Sequence, residues 1–144
     1  MILNRQDRVS IQIPGLSRFW RRVRKELKLD PRDATVCFVS DVEIARLNHT
    51  YRAKRKATDV LSFPFGDGGN RRSNNAEGRR YLGDIAIAPG VARRNAMRLG
   101  RTVDEELRIL MLHGALHLLG YDHEADDGEM DRVEARLRRR LGLR

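Results

Sequence analysis

Cysteine is almost missing from this chain. Cys37 is the only one in 144 residues, so no internal disulfide can staple the fold, and its place in the apolar run Ala34 to Val39 predicts a buried small hydrophobe. Long hydrophobic runs are missing too. The strongest, near Leu107 to Leu119, carries two histidines and falls short of the roughly 20 apolar residues a bilayer demands. The chain opens without a basic head, an apolar run and a small-residue cleavage site, so no export is expected and the cytoplasm is the expected address. Lysine is scarce: only 4 of the 29 basic residues are lysine, and a genome-wide arginine bias would produce the same count.

What remains describes a soluble globular protein of one domain's length, with 40% hydrophobic residues spread in short periodic runs. The net charge of +9 points to a polyanionic partner, but its distribution is uneven. Residues 1 to 101 hold 22 Lys/Arg against 10 Asp/Glu, while residues 102 to 131 hold Arg108 against nine acids. The basic surface and the histidine segment therefore belong to different parts of the chain.

Arg8 to Ile13 alternates with period two, which predicts a strand stopped by Pro14 and Gly15. Leu16, Phe19, Trp20, Val23 and Leu27 fall at helical spacing among arginines, an amphipathic helix closed by Pro31. Ala34 to Val39 suits a central strand, and Asp41 caps a second helix through Leu47. A third strand is expected at Asp59 to Phe65 and a fourth at Tyr81 to Ala88. The run Gly66 to Arg80 between them is too polar to order itself and is expected to be a mobile loop. Pro89 begins a helix ended by Gly100. Thr102 with Glu105 forms a capping box for a buried central helix that runs to Leu119 and stops at Gly120. A last helix, about Asp126 to Leu141, carries the stripe Met130, Val133, Leu137 and Leu141. The expected architecture is a single α+β domain (α/β-like in element order) over residues 1 to 144, a four-stranded sheet packed by about five helices.

The informative segment is His113-Gly-Ala-Leu-His117-Leu-Leu-Gly120-Tyr-Asp-His123. Histidines at i and i+4 share one helix face with Cβ atoms about 6 Å apart, close enough to converge on one ion. Gly120 supplies a left-handed turn that ends the helix and brings His123 back to the same ion. Three imidazoles leave a tetrahedral zinc one open position, as in catalytic sites, though copper or nickel would bind such a set at least as tightly. His49 has no such company and reads as a surface residue. The spacing is similar to the metzincin peptidase motif HExxHxxGxxH, but where those enzymes carry a glutamate as general base this chain has Gly114. Peptidase chemistry is therefore disfavoured.

The string HGALHLLGYDH, followed by Met130, resembles the signature of the YbeY family of bacterial endoribonucleases. So do Asn48-His-Thr-Tyr51-Arg52, Thr58-Asp59-Val60-Leu61-Ser62-Phe63-Pro64 and Leu82-Gly83-Asp84-Ile85. The resemblance implies a metal-dependent, single-strand-specific RNase acting in 16S ribosomal RNA processing and ribosome quality control. It implies one zinc per chain held by His113, His117 and His123, and a functional arginine at Arg52. Single-stranded RNA is then the expected partner, with ribosomal proteins or the small ribosomal subunit beside it. Neither a membrane nor DNA is expected. The reading leaves the nucleophile open between a metal-bound hydroxide and the substrate's own 2′-hydroxyl. Asp122 is either a general base, a carboxylate orienting a ligand or a turn cap, and Asp59 and Asp84 could equally close turns. Met130 resembles the methionine beneath the metal in metzincins but lies first in a core stripe. The competing functions are a zinc peptidase and a non-catalytic, zinc-containing ribosome-associated factor.

Overall fold

The computed structural model describes residues 1–52, 58–65, 81–121 and 126–143, with only the backbone of Arg52. In chain order the elements are β1 (Ile2–Asn4), α1 (Ile13–Leu27), β2 (Ala34–Phe38), α2 (Asp41–Arg52), β3 (Val60–Pro64), β4 (Gly83–Ile87), α3 (Pro89–Leu99), α4 (Val103–Leu118) and α5 (Glu129–Arg140). The strands form one mixed sheet in the order β1-β2-β4-β3, with β1, β2 and β4 parallel and β3 antiparallel at the edge. This is the α+β architecture expected, with five helices among the described residues.

The first strand is not the one expected. Arg8 to Gln12 forms no strand, and its place at the sheet edge is taken by Ile2–Asn4, paired with Val36 to Phe38. Two local effects decide this. The Gln6 side chain donates to the Val9 carbonyl at 3.1 Å and accepts from the Val9 amide at 3.0 Å, so the groups a ladder would use are already satisfied. Pro14 lies in the first turn of α1, where its missing N–H costs nothing, and so it begins a helix instead of stopping a strand.

The two faces of the sheet are covered unequally. Along β2, Ala34, Val36 and Phe38 are buried on the side of α1 and α4, where they join Phe19, Trp20, Ile85, Met111 and Leu116 in the main core. The other face carries a smaller cluster of Val39, Ile44, Leu61, Ala86 and Ala88 beneath α2. Cys37 points to this second face and is half-buried, not fully buried as expected, because α2 leaves part of the face open. Burial still pushes its thiol above the usual range.

α4 is buried around most of its circumference, from Glu106 and Leu107 through Leu118. Each fully buried Leu or Met contributes about 1.5–3 kcal/mol, so this helix is fixed firmly against the sheet. The capping box is present: the Thr102 side chain accepts from the Glu105 amide at 3.1 Å, and the Glu105 carboxylate accepts from the Thr102 amide at 3.0 Å. At the other end Gly120 takes φ 104° and its amide donates to the His117 carbonyl at 3.0 Å. A residue with a Cβ resists that backbone conformation. The loop expected at 66 to 80 lies outside the described residues.

Candidate metal centre

His113 and His117 lie one turn apart near the end of α4, both half-buried. Their Nε2 atoms face each other at 3.0 Å. With metal–nitrogen bonds of about 2.0–2.1 Å, the edge of a tetrahedral zinc site measures about 3.3 Å, so this pair is spaced as two ligands of one ion would be. His123 lies outside the described residues, and among the described residues no group of three His, Cys, Asp or Glu side chains is placed to hold a metal. His49 is exposed, as expected.

Sequence reasoning missed the group behind His113. Glu134, on α5, accepts a hydrogen bond from His113 Nδ1 at 2.7 Å, and its other oxygen lies 3.6 Å from Arg138 Nη1. A carboxylate on Nδ1 holds the proton there and so keeps Nε2 in the lone-pair form that binds an ion. Burial works to raise the Glu134 carboxyl, yet the His113 hydrogen bond and the neighbouring charges of His113 and Arg138 hold it below its usual value. The signal in the sequence was its position. Glu134 follows Met130 by four residues, on the face of α5 that Met130, Leu137 and Leu141 bury, and a carboxylate there needs a partner.

Gly114 is set by packing. A Cβ at this position would lie 2.6 Å from Ile85 Cγ2 and 3.2 Å from Cδ1 and Cγ1 of the same side chain. The helix therefore approaches β4 more closely than any other residue permits, and a glutamate has no room here. The Ser62 hydroxyl donates to the Gly114 carbonyl at 3.2 Å, which ties β3 to the histidine turn.

Arg52 is the last residue of α2, and its side chain is not among those described. Its neighbour Tyr51 packs edge-to-face on Phe63, with ring centroids 5.3 Å apart. Ser62, one residue before Phe63, projects to the opposite face and meets Gly114. The end of α2 that carries Arg52 and the turn of α4 that carries His113 thus flank the same short strand. The other candidates have structural partners. Asp59 accepts from the Asn95 side chain at 3.3 Å, and its carbonyl accepts from the Ala88 amide at 3.0 Å. Asp84 accepts from the Tyr81 hydroxyl. Met130 is buried in the main core. Asp122 lies outside the described residues.

Comparison with known proteins places this geometry in a family. The family profile described as Endoribonuclease YbeY matches residues 1–142. A protein of Solibacter usitatus named Endoribonuclease YbeY is 44% identical over 96% of this chain and 86% of its own length. One of the same name from Koribacter versatilis is 42% identical over 99% of this chain and 86% of its own. A solution structure of a Thermotoga maritima protein superposes with a TM-score of 0.65 at 29% identity, covering 98% of this chain and 89% of that one.

Proposed function

Because the chain belongs to the YbeY family of endoribonucleases, we propose that it cuts single-stranded RNA at a zinc ion held by His113, His117 and His123. Its place of work is the cytoplasm, in maturation of 16S ribosomal RNA and ribosome quality control, beside the small ribosomal subunit and its proteins. No helix among the described residues is long and apolar enough to cross a membrane.

The observation that carries the metal reading is the facing of two Nε2 atoms at 3.0 Å with a carboxylate 2.7 Å behind one of the rings. A zinc ion held by these histidines would lower the pKa of a bound water to about 7 and polarise a phosphoryl oxygen. The rest falls to the chain. Glu134 fixes the tautomer and ring orientation of His113, and Arg138 in turn steadies Glu134. Gly114 lets α4 lie close enough to β4 for Ser62 to hold the histidine turn in place. Arg52, at the end of α2 on the other side of β3, offers a guanidinium fork to the non-bridging oxygens of the scissile phosphate. The cramped Gly114 position disfavours a peptidase, since the glutamate that reaction needs cannot stand there.

The test is cleavage of structured and unstructured RNA, beside casein, by protein stripped with a chelator and then resupplied with zinc. Zinc-restored cutting of unstructured RNA alone is expected. Casein hydrolysis without RNA cleavage would replace this reading with the peptidase, and RNA binding with neither activity would favour the non-catalytic factor.

A further inference from the structure

On the open face of the sheet, between α2 and the strands, lies a groove of about 420 Å³ floored by Thr35, Cys37, Phe63 and Asp84 and walled by Leu47 and Tyr51. Tyr51 and Phe63 line it, and a second aromatic pair, Phe65 and Tyr81, adjoins it through the hydrogen bond from the Tyr81 hydroxyl to Asp84. Tyr51 meets Phe63 at 5.3 Å, and Phe65 meets Tyr81 at 5.7 Å, both edge-to-face. In a chain with few aromatics the outer rings are strongly exposed, Tyr51 at 66% and Phe65 at 56%. The Phe65 amide donates to the Leu82 carbonyl at 2.8 Å, so it continues the β3 ladder past Pro64. Phe63 and Phe65 therefore share a face about 7 Å apart, so the two aromatic pairs stand on the same side of β3.

We propose that this groove receives unpaired bases of the RNA substrate, which stack on Tyr51 and Phe65. The inference rests on the endoribonuclease reading and extends it to how the strand is held. The lining suits bases. Beside its apolar side chains it presents Arg5 and the carboxylates of Glu43 and Asp84, with Glu43 ion-paired to Arg46 and Asp84 accepting from the Tyr81 hydroxyl, so donors and acceptors of both kinds meet the hydrogen-bonding edges of a base. The sugar–phosphate chain stays outside the groove, where the exposed guanidinium of Arg46 stands on α2. Ser62 and Phe63 are consecutive on β3, one bonded to the histidine turn and the other in the groove. A strand crossing this edge strand passes from the groove to the metal centre.

The experiment is fluorescence anisotropy with a single-stranded 2′-O-methyl oligoadenylate and with an abasic strand of equal length, on wild type, Tyr51→Ala, Phe65→Ala and Tyr51→Phe. Both rings are exposed, so equal melting temperatures check that folding is intact. Each alanine variant should bind oligoadenylate about 5- to 150-fold more weakly, the range expected for loss of one base stack. Affinity for the abasic strand should be unchanged, and Tyr51→Phe should bind as wild type does. Alanine variants that bind oligoadenylate normally, or that lose affinity equally for the abasic strand, overturn the proposal. Loss of polylysine binding in those variants with RNA binding intact also overturns it, in favour of a basic protein partner. If wild type binds neither strand, the endoribonuclease reading itself falls.

Discussion

Adding a single methyl group at Gly114 tests the close approach of α4 and β4 most sharply. Gly114→Ala places a Cβ 2.6 Å from Ile85 Cγ2, well inside van der Waals contact. Ile85 cannot step aside, because it is fully buried in the main core among Val36, Phe38 and Met111. Alanine gains about 1 kcal/mol of helix propensity over glycine, while overpacking of this kind costs about 1–3 kcal/mol. With Cγ1 and Cδ1 also at 3.2 Å the upper half of that range applies, for a net loss of about 1–2 kcal/mol. For a domain of this size that lowers the melting temperature by roughly 3–8 °C. The displaced turn also moves His113, so RNA cleavage should fall by more than stability alone explains. Ile85→Ala costs about 2–5 kcal/mol by itself, but it removes the obstructing atoms, so the double variant should be more stable than the two losses added together. Melting curves for the four proteins of this cycle check the reasoning. A Gly114→Ala protein as stable as wild type, or strict additivity in the cycle, would refute it.

Glu134→Gln should reduce zinc affinity about 10- to 100-fold while leaving the chain folded, as removal of a carboxylate behind a ligating histidine does. Chelator competition reads the change, and unaltered affinity would leave Glu134 a purely structural link from α5 to α4. Arg52→Ala should keep zinc content and melting temperature but slow single-turnover cleavage strongly, and Arg52→Lys should recover only part of the rate, because an ammonium lacks the two-pronged geometry. Wild-type rates from Arg52→Ala would remove it from the mechanism. Asp126 accepts from the amides of Met130 at 3.0 Å and Gly128 at 2.8 Å, bonds that hold its carboxyl below the ordinary 3.8. A depressed carboxyl stabilises the fold above that ordinary value, and the contribution is lost as pH falls through the lower folded one. Asp126→Asn should therefore flatten the acid side of the stability curve below about pH 4, where thermal melts of both proteins would diverge in slope. Equal slopes would show that the cap does not titrate with folding.

The elements legible in the sequence were those whose cause is local. The capping box at Thr102 and Glu105 is complete within four residues, and Gly100 and Gly120 end their helices by their own backbone freedom. β1 was illegible because three residues carry no period, and its identity as a strand comes only from its pairing with Val36 to Phe38. The alternation of Arg8 to Ile13 misled because Gln6 satisfies Val9 from outside the run. At the centre, the spacing of His113 and His117 follows from helix geometry alone. Glu134 is 21 residues from His113 and reaches it through the packing of α5 on α4, which no local pattern encodes. Gly114 read as the absence of a glutamate, whereas Ile85 across the helix–sheet contact explains why glycine is present.

The most direct test of the central claim is zinc content per chain, measured on purified wild type and on His113→Ala, His117→Ala and His123→Ala. One zinc ion per wild-type chain and loss of most of it from each folded variant is the result this account requires. A variant that keeps full occupancy would show that its histidine is not a ligand, and a metal-free wild type that still cuts RNA would contradict the account outright.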